Sequence, residues 1–299
     1  MDYHPLTEAN LNAVYGLFLR NEPFYSIPFE YFKRGTIEDE DYNPDLTLVL
    51  FNSENNDPLA TLIAIKRSDI CCIKAIIVDK SVRMQGIAKS MLKEIIVRAK
   101  RKEYNISSIS YGDCPPNYWQ PGVDLRHTDL YFFLKKNRFK LKETRQNLTV
   151  ELKDLDLNPL VAKEGYTYER VQPKDFENVY NFVKKNYGIS SWPEEVSYSF
   201  KNTPPTTFIA RNNDSEIIGW ATHSLQFPGS FGPTGVLYSL QGQGIGTELL
   251  KWCLWDIKQD GLDVCIIMWV VGNTIKFYSK SINAYISPVF YVMTKKLRT

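Results

Sequence analysis

The fold is decided by residues 234–250, which read TGVLYSLQGQGIGTELL. A short apolar run leads into glycines at the alternate positions 242, 244 and 246, just where a helical pattern begins. Glycine lets the backbone take positive φ angles and come close to a ligand. The first N–H groups of a helix have no partner within it and attract phosphate. This stretch therefore predicts a phosphate-binding turn between a strand and a helix.

A second loop of this kind lies in the first half of the chain. Residues 83–88 read RMQGIA, again between an apolar run and a helical pattern, and Gly86 precedes Gly244 by about 158 positions. Each half also opens with a helix cap and an amphipathic segment, at residues 6–14 and 171–179. The sequence therefore indicates one pattern that occurs twice.

The hydrophobic periodicity predicts the same kinds of element in both halves. In the first half, strands are predicted at 46–51, 59–66, 71–78, 106–111 and 147–152, and helices at 88–102 and 130–136. In the second half, strands are predicted at 207–211, 217–224, 234–239, 264–271 and 289–294, and helices from the loop to 257 and at 274–282. Meanders that lead into a strand–loop–helix–strand unit predict mixed α/β domains with a partly antiparallel sheet.

The length of 299 residues is typical of two domains. A polar stretch with a proline, residues 153–159, lies between the two copies of the pattern. We therefore expect an N-terminal domain at 1–153, a linker at 154–166 and a C-terminal domain at 167–299.

Composition excludes several classes of protein. The chain has 36 basic and 34 acidic residues and a net charge of +2, which gives no overall electrostatic attraction to nucleic acid. No apolar stretch is long enough to span a membrane, and the first residues do not read as a secretion signal. The five cysteines fit no zinc spacing. We expect a cytoplasmic protein without a metal.

Two other phosphate-binding folds fit the loop poorly. A P-loop would need Gly-x-x-x-x-Gly-Lys-Ser/Thr, which the chain lacks. A dinucleotide fingerprint would place its third glycine at Thr247, and no acidic residue follows at the end of the next strand. Neither a nucleotide triphosphatase nor a Rossmann domain is therefore expected.

The pattern Gln/Arg-x-x-Gly-x-Gly/Ala, after a strand and before a helix, is similar to the acyl-CoA signature of the GCN5-related N-acetyltransferase (GNAT) superfamily. Both loops match it, so the chain resembles a tandem member with two GNAT-like domains over nearly its whole length. The resemblance implies that the loop backbone holds the pyrophosphate of CoA. The residues concerned would be Gln241, Gly242, Gln243, Gly244, Ile245 and Gly246, with Arg83, Gly86 and Ala88 as a second candidate set.

Further roles in the second half follow from the resemblance. Tyr278, in a Phe-Tyr pair on a helix, would protonate the departing thiolate. Asn273 would hold the pantetheine arm or simply cap the helix. A backbone N–H at Val236 or Leu237 would stabilise the oxyanion. No acid lies on the preceding strand, so His223 is the candidate general base, although a lone histidine is more often structural.

The first half differs at two places. Phe133 or Leu134 stands where Tyr278 stands in the second half, so this half is expected to lack the general acid. A loop at 111–129 carries prolines, glycines and polar aromatic groups. We expect Trp119, Asp124 and His127 to contact a small polar substrate; the alternative is a packed Ω-loop or an interdomain bridge.

The expected function is therefore acetyl transfer from acetyl-CoA to a small amine. The alternative is a tandem module that binds acyl-CoA or docks a partner without turnover. A transferase that uses aminoacyl-tRNA in place of CoA is disfavoured, because such enzymes have no use for the pyrophosphate loops. The identity of the amine and the oligomeric state do not follow from the sequence.

Overall fold

The computed structural model describes residues 1–157, 165–188 and 190–297. They form two compact units, one of residues 1–145 with 289–299, and one of residues 146–288. Most of the expected linker, residues 158–164, lies outside the described residues.

The first unit is a mixed sheet with helices on both faces. Its elements are α1 (Leu11–Asn21), α2 (Phe29–Arg34), β1 (Thr47–Phe51), β2 (Pro58–Arg67), β3 (Ile70–Val78), α3 (Ile87–Ala99), β4 (Ser108–Tyr111), β5 (Val123–Asp124) and α4 (Thr128–Lys136). Strands β1, β2 and β3 are antiparallel neighbours, and β3 pairs in parallel with β4. The expectation of a mixed, partly antiparallel sheet is confirmed.

The second unit repeats this arrangement. It begins within β6 (Lys140–Glu151) and continues with β7 (Thr167–Arg170), α5 (Phe176–Tyr187), α6 (Trp192–Ser199), β8 (Thr207–Arg211), β9 (Ile217–His223), β10 (Ser230–Val236), α7 (Ile245–Gln259), β11 (Val264–Val270) and α8 (Thr274–Ile282). Strands β7 to β10 are antiparallel neighbours, and β10 pairs in parallel with β11.

The helices that follow the two loops bury the same stripe of positions. On α3 the buried residues are Ile87, Met91, Leu92, Ile95 and Ala99, and on α7 they include Ile245, Leu249, Leu250, Cys253 and Ile257. Each residue of the second set lies 158 positions after its counterpart. Spacings of three and four place each set on one helix face, so both helices pack on their sheets in the same register.

The opposite face of each sheet carries the earlier pair of helices. In the first unit, α1 and α2 enclose a cluster with Phe18, Phe32 and Trp119. In the second, α5 and α6 enclose a cluster built on Trp220, which is fully buried. Every sheet is thereby covered on both faces, which fits the long apolar runs of its inner strands.

Each unit takes its last strand from the other half of the chain. The final strand β12 (Tyr285–Lys296) pairs antiparallel with β4, with Met293 opposite Tyr111. In the second unit the same place beside β11 is taken by β6, with Val150 opposite Cys265. The domain bounds 1–153 and 167–299 stay a prediction, and the compact units divide the chain differently.

Truncation of the chain after Pro288 tests this arrangement. The first unit would lose Phe290, Val292 and Met293, all buried, and β5 would lose its partner strand, while β1 to β4 keep their pairing with one another. At about 1.5–3 kcal/mol for each such side chain, the loss rivals the stability of a typical domain.

We therefore expect hydrogen exchange at Ser108–Tyr111 to accelerate at least about 100-fold in the truncated chain. Exchange at Thr207–Arg211, in the second unit, should change much less and serves as the internal control. Equal acceleration at both strands, or none at either, would contradict the assignment of β12 to the first unit.

Candidate active site

In the second unit, two parallel strands part and leave peptide groups unpaired. Phe231 and Ile267 are the last paired residues of β10 and β11, yet β10 continues to Val236. Just after β10, Leu237 donates its N–H to Ile218 O of β9, at 2.9 Å, on the side away from β11. Because successive peptide groups of a strand point to opposite sides, the N–H of Val236 points into the opening.

The loop beyond this opening is uncovered. Gly242 and Gly244 have φ angles of +80° and +89°, and a Cβ on either would meet nothing within 4 Å. Gly244 is the N-cap of α7. The N–H groups of Gly242, Gly244, Ile245 and Gly246 donate no hydrogen bond to any described residue. A cluster of open donors at the positive end of a helix is suited to an anion such as pyrophosphate.

The first unit has the same opening. Strands β3 and β4 separate after Ile73 and Tyr111, while β3 runs on to Val78. Asp79 donates its N–H to Leu59 O at 2.8 Å, so the N–H of Val78 points into the gap. Both units therefore present strand-edge donors at the same place.

The loop of the first unit differs from that of the second at one residue. Gly86 is the N-cap of α3 with a φ of +81°, and the N–H groups of Gly86, Ile87 and Ala88 donate to no described residue. Met84 takes a φ of +63° where the second unit has Gly242. A side chain in the left-handed region costs about 1–2 kcal/mol, which glycine at 242 avoids.

The first residue of each motif fastens its loop to the strand edge. Arg83 Nε donates to Val78 O at 3.0 Å, and Gln241 Nε2 donates to Val236 O at 3.4 Å. In the second unit the hydroxyl of Tyr187 also donates to Val236 O, at 2.6 Å. Arg83 and Gln241 thus shape the loops from the side, and the backbone remains available to a ligand.

Tyr278 lies beside the opening of the second unit, but its surroundings are apolar. It is 8% exposed, and its ring contacts those of Phe231 and Phe277 at 6.1 and 4.9 Å between centroids. Its hydroxyl makes no hydrogen bond to any described residue. Burial, together with Cys265 and Cys253, raises the pKa of Tyr278. The phenol therefore keeps its proton.

Asn273 precedes α8 as its N-cap, but its side chain makes no capping hydrogen bond and is exposed. The matching helix of the first unit is α4, where Leu134 is fully buried. A residue with positive φ follows each helix, Arg138 after α4 and Asn283 after α8. When these two residues are aligned, Tyr278 corresponds to Phe133. The first unit has no proton donor at this position.

His223 lies in the core of the second unit. It is fully buried, with Nε2 at 2.9 Å from Asp256 Oδ2 and Nδ1 at 3.0 Å from Ser224 Oγ. Arg170 binds the other oxygen of Asp256. The role of general base stays a prediction for His223, and this geometry does not favour it, because both ring nitrogens are occupied and no solvent reaches them.

The loop after β4 turns back on itself through two glycines. A Cβ on Gly112, whose φ is +72°, would lie 2.4 Å from Gly122 Cα, and a Cβ on Gly122 would lie 2.7 Å from Tyr291 O. Trp119 stacks on Phe32 in the α1–α2 cluster, at 5.1 Å and 13° between the rings, and is 2% exposed. Trp119 therefore supports the loop from the core; its predicted contact with substrate stays a prediction.

The same loop lines a small pocket in the first unit, at the point where β3 and β4 part. Among its lining residues are Tyr25, Tyr111, Gln120, Asp124 and His127. The pocket has room for about one water-sized group. Two of the three predicted substrate residues, Asp124 and His127, therefore share one cavity.

The acidic groups at this pocket are buried. Asp124 has a side chain 2% exposed and pairs with Arg126 at 2.6 Å. Glu22, with a side chain 3% exposed, receives His127 Nε2 at 2.9 and 3.0 Å from its two oxygens. The Oε1 of Gln120 is buried and accepts no hydrogen bond from any described residue. Because both oxygens of Asp124 accept from Arg126, the Oε1 of Gln120 is the acceptor that the described lining residues leave to a ligand.

The one ammonium group at the pocket is already bound. Lys74 Nζ donates to Gly35 O at 2.7 Å and lies 3.1 Å from Asp39 Oδ2, while Arg67 grips Asp39 at 2.6 and 2.7 Å. Burial lowers the pKa of Lys74, although Asp39 opposes this. Lys74 therefore stabilises the segment that follows α2, through Gly35 and Asp39, and is not available to a ligand in the pocket.

Sequence reasoning missed the partners that come from elsewhere in the chain. Glu22 and Tyr25 follow α1; Tyr25 lines the pocket and Glu22 contacts His127, and no local pattern marks either residue. It also missed Glu195 on α6, which is 5% exposed and accepts from Ser191 Oγ at 2.5 Å. Burial raises the pKa of Glu195 to about 8. The sequence of α6 carries two adjacent glutamates, and no local pattern indicates that Glu195 is the one that faces inward.

Each unit combines two parallel strands that part with an open loop at the start of a helix. The comparison with known families agrees with this arrangement. The model of the acetyltransferase (GNAT) family matches residues 11–116 and 176–282, one segment in each half. The chain belongs to the GNAT acetyltransferase family. No curated protein sequence matches the chain. Among its described residues, no helix is both long and apolar enough to cross a membrane.

Solved structures support a tandem GNAT fold. The GCN5-related glucosamine N-acetyltransferase region of a fungal multi-domain GH3 β-N-acetylglucosaminidase aligns with a TM-score of 0.74 and 15% identity, over 98% of this chain and 38% of that one. A GCN5-related N-acetyltransferase from Sphaerobacter thermophilus gives 0.73 and 14%, over 100% and 96%. A tandem GNAT protein of the clavulanic acid biosynthesis pathway gives 0.71 and 11%, over 100% and 99%.

The buried pair of His223 and Asp256 predicts a pH-dependent stability. Burial alone would raise the pKa of Asp256, but His223 and Arg170 hold it below its ordinary value. A carboxyl group with a lowered folded pKa stabilises the protein above its unfolded pKa of about 3.9, and this stabilisation is lost as the pH falls through the folded pKa.

We expect Asp256→Asn to reduce the free energy of unfolding by about 3 kcal/mol at pH 7, because it breaks a buried ion pair. The difference from the natural chain should narrow below about pH 4, as measured by urea unfolding. Glu169→Gln, which breaks the more exposed pair with Arg211, is the control and should cost under about 1 kcal/mol. A deficit for Asp256→Asn that is the same at pH 7 and pH 3 would contradict this account.

Proposed function

We propose that the chain is an acetyl-CoA-dependent N-acetyltransferase that acts on a small amine by direct transfer. The observation that carries the proposal is the loop at Gly242–Gly246, where open N–H groups at the start of α7 stand next to a parted strand pair. In the proposed complex the pyrophosphate lies on this loop and the pantetheine arm enters the gap beside Val236. The loop at Arg83–Ala88 is the second candidate site, and Asn273 would stand near the arm.

The proposed chemistry uses groups at the opening of the second unit. The acceptor nitrogen attacks the thioester carbonyl, and the N–H of Val236 stabilises the oxyanion. Such donors are worth about 2.7–4 kcal/mol each. Tyr278 then gives a hydrogen bond or its proton to the sulfur of CoA. Because burial raises the pKa of Tyr278, we expect it to act as a neutral donor across the working pH range.

The acceptor is proposed to be a small amine, in keeping with membership of the GNAT acetyltransferase family. The fungal relative is described as a glucosamine N-acetyltransferase, which makes amino sugars one class to include in an amine panel with amino acids and polyamines. A module without turnover is the alternative, and it is not favoured by relatives that are transferases.

Gly244→Ala tests the loop. The added Cβ enters the open space above α7 and the residue must keep a φ of +89°, so we expect acetyl-CoA to bind at least about tenfold more weakly by calorimetry. Gly261→Ala is the matched control, because Gly261 has a φ of +80° and open space but lies beyond the other end of α7. Gly86→Ala measures the loop of the first unit in the same way. Acetyl-CoA that does not bind the natural chain at millimolar concentration would refute the proposed function.

Tyr278→Phe tests the acid. Loss of the hydroxyl should lower kcat by about 100-fold, the lower range for a general acid, while KM for acetyl-CoA stays within about twofold. Tyr168→Phe is the control, since Tyr168 is also 8% exposed in the same core cluster, with a buried hydroxyl that has no hydrogen-bond partner among the described residues. An unchanged kcat in Tyr278→Phe, measured by release of free CoA across pH 6–9, would remove this role.

A further inference from the structure

The three histidines of the chain differ in what their rings contact. His4 is on the surface, 3.8 Å from Asp2, with its side chain 53% exposed. His223 has both ring nitrogens hydrogen-bonded in the core. His127 uses only Nε2, which lies 2.9 and 3.0 Å from the two oxygens of Glu22, and its Nδ1 makes no hydrogen bond to any described residue. Of the three, His127 alone combines a fixed ring with an available nitrogen at a pocket.

The contact with Glu22 decides where the proton of a neutral His127 lies. An ionised carboxylate can only accept, so Nε2 carries the hydrogen and Nδ1 carries the lone pair. The ring is also held from the side by Phe24, 4.8 Å away between centroids. A carboxylate behind an imidazole stabilises the imidazolium that forms when the ring takes a proton. His127 is therefore set up as a proton acceptor.

The pocket beside His127 has one acceptor that is available to a ligand. Gln120 Oε1 is buried there and accepts no hydrogen bond from any described residue. The two charged side chains that line the pocket are already paired, Asp124 with Arg126 and Lys74 with Asp39. The available room matches one water-sized group, which a primary ammonium fills and an N-methylated one exceeds. Tyr111, the last residue of β4 before the strands part, also lines this pocket.

We propose that the first unit holds a transfer site of its own, in which His127, positioned by Glu22, is the general base for a primary ammonium bound at Gln120, beside the ion pair of Asp124 and Arg126. This inference rests on the proposed function in one respect: acetyl-CoA, held at the Arg83–Ala88 loop, supplies the acetyl group.

The protons and bonds balance as follows. The ammonium R–NH3⁺ gives one proton to His127 Nδ1, and the neutral amine attacks the thioester carbonyl. The C–S bond breaks, and sulfur leaves with its electron pair and takes a second proton from the nitrogen. The third hydrogen stays on the amide product, and His127 releases its proton to water. The products are R–NH–CO–CH3, CoA–SH and H⁺.

The missing tyrosine does not prevent this reaction. Phe133 or Leu134 stands where the second unit has Tyr278, so no side chain there protonates the sulfur. A thiol has a pKa of about 8.5, so its thiolate is already a fair leaving group near neutral pH. An ammonium must lose a proton before it can attack, so the base matters more than the acid.

The test is the pH dependence of kcat/KM for acetylation of a primary amine by the full chain. In the Tyr278→Phe background, where turnover by the second unit is suppressed, we expect His127→Asn to lower the remaining kcat about 100-fold and to remove the low-pH limb of the profile, with KM for acetyl-CoA unchanged. Glu22→Gln should lower kcat about tenfold and move that limb to lower pH, since the imidazolium loses its counter-charge. His4→Asn is the control and should change neither. Circular dichroism verifies that each variant is folded.

A spectroscopic measurement addresses the same geometry without turnover. In ¹⁵N spectra of the histidine side chains at pH 8, His127 should be the Nε2–H tautomer, and its signals should shift saturably with ethylammonium chloride but not with tetramethylammonium chloride. The Nδ1–H tautomer, or no response to ethylammonium, overturns the inference.

The kinetic outcomes separate the two proposals. A remaining rate that His127→Asn does not lower in the Tyr278→Phe background overturns the base in the first unit and leaves acetyl transfer by the chain in place. A full rate in Tyr278→Phe together with loss in His127→Asn assigns turnover to the first unit. A natural chain that binds no acetyl-CoA and acetylates no amine overturns the proposed function, and the role of His127 with it.

Discussion

The site in each unit depends on a pair of parallel strands that stop pairing before the longer strand ends. A strand whose neighbour departs keeps its extended shape only if its other edge stays bonded, and here β2 and β9 supply that edge. The unpaired peptide groups would be costly in a dry interior. They are tolerated because the gap opens to a loop and, in the proposed complex, because the pantetheine amides and the thioester oxygen pair with them. The glycine-bearing loop of each unit thus lies where the sheet leaves its peptide groups unpaired.

The two units have specialised differently on this shared frame. The second has the fully glycine-bearing loop and a buried phenol, but its core histidine is bound on both nitrogens. The first carries Met84 at a position that favours glycine and has no phenol at the position of Tyr278, yet it has a polar pocket lined by His127, which Glu22 contacts. Met84 places a side chain in the left-handed region, a conformation that Gly242 adopts without this cost.

Much of this fold could be predicted from the sequence because its signals are local. The helices at 274–282 and the strand at 207–211 were predicted with the observed bounds, since apolar spacing and flanking caps mark them. The strand predicted at 234–239 instead runs from Ser230 to Val236, because the Gly-Pro pair that looked like a break lies inside the strand. The loops at Gly86 and Gly244 were found because glycine is needed at their φ angles. The pairing of Glu22 with His127 could not be found, since the two residues are 105 positions apart and meet only in the folded unit. The pairing of β12 with β4 could not be predicted either, because the sequence of a strand does not determine which sheet edge it joins.

The origin of the last strands has a consequence during synthesis. The place beside β4 is filled by residues that the ribosome adds only after the whole of the second unit has been translated. Until then, the nascent first half has an open sheet edge at β4, the kind of surface that recruits stray strands. A cell that makes this chain must therefore keep an unfinished domain apart from its neighbours for the time it takes to elongate roughly half of the polypeptide.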